Sequence, residues 1–321
     1  MKRNLISYLS VLTLLVVSAT ITSAQVRPPV PRASQKASVT QTIGTTDVTI
    51  TYSRPAVKGR TVWGEPPAGT PAGEATLDDG RARPKDAPIV YYGKLWRTGA
   101  NEATMFVVND DVLINGQPLA AGKYSLHTIP GKDEWTIIFN KDDGQWGSFA
   151  YDAKKDALRV KTKPQWVADS KELLSFGFDS LTENAGTVYL RWEKVKVPFT
   201  VEIKDVVGST MTRLTSYIAG DTKDPQRLIN AGGYAKANKR ASQATEWFEE
   251  ALKVNDALIA TKETFQNLQR KATILLNLDR GADALAAAER AVVVGKADTT
   301  VTKAQIEALE KRIADIKAGK Q

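Results

Sequence analysis

Apolar and polar positions alternate through the first part of this chain and recur every three to four residues in the last part. Val48, Ile50 and Tyr52 alternate with Thr49 and Thr51. Trp135, Ile137 and Phe139 keep the same period, as do Val188, Leu190 and Trp192, and then Val197, Phe199, Val201 and Ile203. Alternation sends successive side chains to opposite faces of a half-buried strand. Asn115-Gly116, Ala121-Gly122, Pro130-Gly131, Asp143-Gly144 and Asn184-Ala185-Gly186 separate the runs. Asn-Gly suits a tight hairpin because both residues tolerate positive φ. Roughly ten short strands at this spacing, with no long helix among them, predict an antiparallel β-sandwich or jelly-roll-like domain over residues 37–204.

Helical periodicity starts near Ser209. Asp224-Pro225 is a helix start: a capping carboxylate, then a proline where no N–H is needed. Ala244, Trp247, Phe248, Ala251 and Leu252 form one stripe, and Ala284, Ala287, Ala288, Ala291 and Val292 repeat it at a displacement of forty. Leu228, Gly232 and Ala235 correspond in the same way to Leu268, Ala272 and Leu275. An internal repeat of helical hairpins over residues 205–321 follows, closed by a last helix carrying Ile306, Leu309, Ile313 and Ile316. Small and aromatic residues are spaced as in a tetratricopeptide repeat. The fold class is therefore α+β and multi-domain.

Three segments break the pattern. Lys2 and Arg3, the apolar run Leu9–Val17 and the small residues up to Ser23-Ala24 have the layout of a secretory signal peptide over residues 1–24. Residues 25–36, with Pro28, Pro29 and Pro31, read as an extended linker. Glu65–Pro88 holds five prolines, several glycines and no apolar period, and reads as an exposed loop inserted between two strands.

Composition narrows the options. The 321 residues contain no Cys, so disulfides, thiolate metal sites and a cysteine nucleophile are excluded. Loss of the signal lowers the net charge from +8 by two cations. Lys and Arg are mixed with acids rather than clustered, which argues against a nucleic-acid partner. No segment of the mature chain reaches a membrane-spanning length. Six of the seven Trp residues lie between Trp63 and Trp192, so the two halves differ in chemistry.

Several runs resemble a known family. They are Thr40–Val48, Tyr52-Ser53-Arg54-Pro55, Val57-Lys58-Gly59-Arg60, Leu95–Thr104, Ala121–Leu126, and Phe139-Asn140-Lys141 to Gln145-Trp146-Gly147. In this order they resemble the bacterial Domain of Unknown Function 2911 family over roughly residues 36–204. The resemblance implies an exported protein of the Bacteroidetes type, often with a tetratricopeptide-like tail, and implies no activity. This chain departs from the family in the 65–88 insertion and in His127, where some members carry Phe.

Candidate chemistry gathers around Leu95–Thr104. Arg54, Lys58, Arg60, Trp96, Arg97, Asn101 and Glu102, with His127 and Trp146, form the expected ligand-binding set: arginines offer planar forks, Glu102 accepts hydroxyl protons, and Trp146 between glycines offers a stacking face. The competing reading is a structural network in which Arg97 or Arg54 pairs with Glu102. His127 is the only histidine. It would share a strand face with Ser125, yet no Gly-x-Ser-x-Gly elbow supports a hydrolase triad. Asn140, Asp142 and Asp143 could ligate calcium but fit a hairpin turn better. No metal and no cofactor is expected. The leading expectation is a non-enzymatic, exported, periplasmic or extracellular protein. Its β-domain would take a small-molecule or glycan ligand, and its helices a protein partner. A glycoside-type hydrolase using Glu102 with Asp142 or Asp143, and a purely structural scaffold, are the alternatives.

Overall fold

The computed structural model describes residues 30–318. The predicted signal peptide and the first part of the predicted linker lie outside the described residues.

The strands are β1 (Gln35–Ile43), β2 (Thr46–Arg54), β3 (Trp63–Gly64), β4 (Val90–Tyr91), β5 (Thr104–Val108), β6 (Val112–Ile114), β7 (Gln117–Leu119), β8 (Gly122–Ile129), β9 (Trp135–Asn140), β10 (Asp156–Thr162), β11 (Gln165–Asp179) and β12 (Ala185–Glu202). They form a six-stranded sheet in the order β1-β2-β5-β8-β9-β10 and a four-stranded sheet in the order β11-β12-β6-β7. Every pairing in these two sheets is antiparallel. The short β3–β4 pair is parallel.

Register explains the core. Ile50 faces Phe106, Phe106 faces Tyr124, and Leu126 faces Phe139, so one apolar row crosses the larger sheet. Val188, Leu190, Trp192 and Val201 of β12 join that row in a single buried cluster. At its centre the Trp63 ring lies 5.6, 5.1 and 5.5 Å from those of Trp96, Trp135 and Trp192. Edge-to-face contacts of this kind add to the large apolar area that each indole removes from water.

Six helices follow: α1 (Val206–Ala219), α2 (Pro225–Ala237), α3 (Ala241–Thr261), α4 (Phe265–Asn277), α5 (Gly281–Ala297) and α6 (Lys303–Lys317). The α2 and α4 boundaries differ by forty residues at both ends, as do the α3 and α5 starts. The sequence repeat therefore corresponds to two helical hairpins with a common frame. Ala231, Ala235, Ala244, Phe248 and Ala251 pack with Leu268, Ala272, Ala284 and Ala291 in a second core. Thr302 and Gln305 form a reciprocal cap at the start of α6, whose Leu309 and Ile313 close that core. Among the described residues no helix is long and apolar enough to cross a membrane.

Helix α1 joins the halves. Val206 packs on the β core, while Met211, Leu214 and Ile218 pack on the helical core. Asp110 accepts from Thr46 Oγ1 at 2.6 Å and from Arg213 Nη2 at 2.5 Å, tying the sheet to α1.

The 65–88 segment connects β3 to β4, between two strands as predicted, but polar contacts fasten its middle. Leu77 and Asp78 are buried. Leu77 N donates to Leu95 O, and Leu95 N donates to Ala75 O. The buried Lys94 ammonium donates to the carbonyls of Pro71 and Gly73, and Arg83 donates to that of Leu77. A count of apolar residues misses this anchoring, because the contacts are made by charges to backbone.

Candidate functional site

The Leu95–Thr104 stretch is a turn between the sheet and its outer covering. Trp96 exchanges two backbone bonds with Thr128 of β8, which places its indole in the core, 4% exposed, with Nε1 donating to Gly99 O. Trp96 is thus a core residue and does not line an open surface. Thr98 and Asn101 take positive φ, 56° and 60°, so the chain doubles back twice within four residues. Gly99 has a physical reason as well: a Cβ there would sit 3.2 Å from Ser53 O.

The doubling back separates the predicted site residues. Arg97 turns inward to Asp78 and donates from Nη1 to Asn101 O at 2.8 Å. Asp78, in turn, accepts from Ser148 N at 2.8 Å and Ser148 Oγ at 2.7 Å. The expected pairing of Arg97 or Arg54 with Glu102 is therefore not formed. Arg54 Nε donates to Leu174 O at 2.8 Å, and Arg60 donates to the carbonyls of Val57 and Ala56. Lys58 has positive φ, and its N–H donates to Glu172 Oε1 at 2.9 Å. These three hold the 54–60 loop together or fix it against β11, and they do not converge with Glu102.

His127 and Ser125 do share the outer face of β8, beneath the 141–155 loop. His127 is completely buried, its Nδ1 lies 3.4 Å from Ser125 Oγ, and Nε2 has no hydrogen-bond partner. Burial pushes its pKa down to about 4, against the opposing pull of the backbone and of Asp156 and Asp78. The imidazole is therefore neutral at pH 7. Its ring lies 5.1 Å from that of Tyr151. Tyr151 and Arg159 both donate to Asp156, Asn140 Nδ2 donates to Asp156 Oδ1, and Arg159 also reaches Glu74. This network closes the loop over β9 and β10 and ties the 65–88 segment to it. Asn140 is buried within it, so that residue serves the turn. Asp142 N–H bonds back to Asn140 Oδ1 and Asp142 Oδ2 accepts from Lys155, as in an ordinary Asx turn. Among the described residues no group of three or more His, Asp or Glu could hold a metal ion.

Glu102 and Trp146 are brought together. They form an antiparallel bridge, flanked by Ala103 N→Gln145 O and Gly147 N→Asn101 O, each 3.0 Å. Two loops thereby become a short two-stranded platform. Trp146 is 38% exposed. Arg32, from the predicted linker, lies across the platform: its Nη1 donates to both Glu102 oxygens at 2.8 Å, and its guanidinium carbon lies 5.9 Å from the Trp146 ring centroid. Asn101 Nδ2 holds Ser34 O at 3.0 Å. Partial burial raises the Glu102 pKa, but hydrogen bonds from Arg32 and its own backbone, with the charges of Arg32 and Lys36, bring it below the usual value. Beside the platform a cavity of about 220 Å³ is lined by Lys36, Thr51, Ser53, Glu102, Met105 and Gly144.

Arg32, Asp78, Ser148, Tyr151, Asp156 and Arg159 are absent from the set the sequence suggested. The alternation of β10 places Arg159 opposite Ile138, on the face turned away from Val160 and the main core, and is the one available signal. Asp78 and Arg32 sit in stretches without period.

The described residues form an α+β protein with antiparallel sheets ahead of six helices, and an open recess beside a carboxylate–indole pair. Residues 34–201, more than half of the chain, match the family described as "Protein of unknown function (DUF2911)", and the chain belongs to that family. No curated protein and no solved structure matches it.

Proposed function

We propose that this chain is a non-enzymatic, exported binding protein of the cell envelope. In this reading the two sheets are the layers of a β-sandwich that takes a small charged molecule or glycan-like ligand, and the helices are tetratricopeptide-like repeats that meet a protein partner. The observation that carries it is the contrast between the two polar clusters. His127 and its neighbours are sealed beneath a loop, whereas Glu102 lines an open cavity and the partly exposed Trp146 is bridged to it.

Ion pairing at Glu102 and Asp142 disfavours the hydrolase alternative that uses those two carboxylates. A glycosidase needs one carboxyl group with a raised pKa to act as acid. Glu102 is shifted the other way by Arg32, and Asp142 is paired with Lys155. On the helical side, a groove of about 400 Å³ between α3, α4 and α5 is lined by Leu252, Asp256, Lys271, Arg280 and Arg290. Mixed charge around an apolar floor suits a polypeptide partner.

A thermal-shift screen of glycans and small charged metabolites tests the binding reading. A ligand of the native state raises the midpoint by mass action, and Lys36→Glu or Glu102→Gln should cancel that rise. A ligand that stabilises all three chains equally would bind elsewhere and count against this recess. Export predicts that the chain recovered from the envelope begins at Gln25, which N-terminal sequencing reads directly; a chain recovered with Met1 would contradict it.

A further inference from the structure

We propose that the Glu102–Trp146 platform is a guanidinium-binding site and that Arg32, from the strap ahead of β1, occupies it in cis. This deepens the binding reading above and rests on it. Arg32 makes the contacts that a ligand would make. Its planar cation meets both carboxylate oxygens of Glu102 through Nη1 and lies over the indole of Trp146. A carboxylate beside an aromatic face suits a planar, delocalised, weakly hydrated cation better than a compact ammonium.

The platform is built independently of its occupant. Ala103 and Gly147 fix it by backbone bonds to Gln145 and Asn101, and Arg97, held by Asp78, braces Asn101 from beneath. The occupant is held far less firmly. Residues 30–34 belong to no strand, and the side chains of Arg32 and Glu102 remain 37% and 38% exposed. An exposed ion pair contributes little on its own. What keeps Arg32 in place is its tether, pinned at Ser34 O by Asn101 Nδ2, which supplies a high local concentration of guanidinium. A guanidinium of another molecule reaches the same atoms by displacing the strap, and the adjoining cavity receives the rest of that molecule. The ligand class is therefore an arginine side chain, presented by a small molecule or a peptide, and the strap acts as an internal competitor.

Calorimetric titration of the full chain tests this, with N-acetylarginine amide as probe and the neutral isostere N-acetylcitrulline amide as control. Arg32→Ala should bind the arginine probe about tenfold more tightly than the natural chain, because the tethered competitor is gone. The citrulline probe should not bind detectably. Adding Glu102→Gln or Trp146→Leu to Arg32→Ala should each weaken arginine binding, Glu102→Gln the more strongly; both positions are partly exposed, and an unchanged melting midpoint verifies the fold. An arginine peptide that binds more tightly than the amide would identify a polypeptide source, and equal affinities a small molecule; either supports the site. Equal binding of both probes, or indifference to Glu102→Gln, overturns the proposal. Equal arginine affinity with and without Arg32 overturns the occupancy in cis. If neither probe binds to Arg32→Ala while another ligand still raises the natural chain's midpoint through Lys36, the guanidinium assignment fails and the binding reading stands.

Discussion

At the scale of single residues, His127 shows which of two opposing effects wins. Asp78 and Asp156 favour its protonated form, yet complete burial outweighs them and its pKa falls from 6.5 to about 4. The unfolded chain therefore binds this proton more tightly than the folded one. The associated stability is full above about pH 6.5 and is lost as pH falls toward 4, on the order of 3 kcal/mol across that window. His127→Phe should flatten the acid limb of a urea-midpoint-versus-pH curve between those values. An unchanged limb would mean that other groups set the acid response. Asp78 is the second test. Removing it strands the half-buried Arg97 and leaves the Ser148 N–H without its acceptor. Asp78→Ala should cost about 3 kcal/mol in chemical denaturation, whereas a loss below about 1 kcal/mol would show that water replaces the carboxylate. The pairing of Asp78 with Arg97 and Ser148 is not legible in the sequence. The Trp96, Arg97 and Glu102 cluster is legible as a cluster, but positive φ at Thr98 and Asn101 sends its members in three directions, and no spacing rule reveals that.

At the scale of elements, periodicity succeeds where burial is apolar and one-sided. β2, β9 and β12 read cleanly because their inner rows are Val, Ile, Leu and aromatics. The hairpin repeat reads equally well, since the stripes recur at a fixed displacement. Legibility ends where charge meets backbone, as with Lys94 and Arg83 in the 65–88 segment. It ends again with Arg32 and Glu102, which lie seventy positions apart. The helical hairpins carry their own test. A Cβ on Gly295 of α5 would sit 2.6 Å from the Phe265 ring of α4, so that ring fills the space a side chain at 295 would need. Gly295→Val should overpack this contact and destabilise the helical part by about 1–3 kcal/mol. Circular dichroism at 222 nm on heating reads the loss, and a midpoint as high as the natural one would show that the contact can widen freely.

At the scale of the whole molecule, two apolar cores meet through α1, in which no side chain is fully buried. A joint that thin transmits little cooperativity. Differential scanning calorimetry should resolve two unfolding transitions, and Gly295→Val should move one of them only. A single sharp transition displaced as a unit would show that the cores unfold together. The family match ends at residue 201, at the end of β12 and short of the joint, so it covers the β part and none of the six helices.

The common frame of the two hairpins has a consequence for the length of the protein. Because α2–α3 and α4–α5 are set forty residues apart, with Asp224 and Thr264 capping equivalent starts, a spliced copy of residues 225–264 would present the same two faces to its neighbours as the original. A module of that length is therefore expected to insert or drop out with the α1 and α6 ends unchanged, which would let the helical part vary in length by duplication.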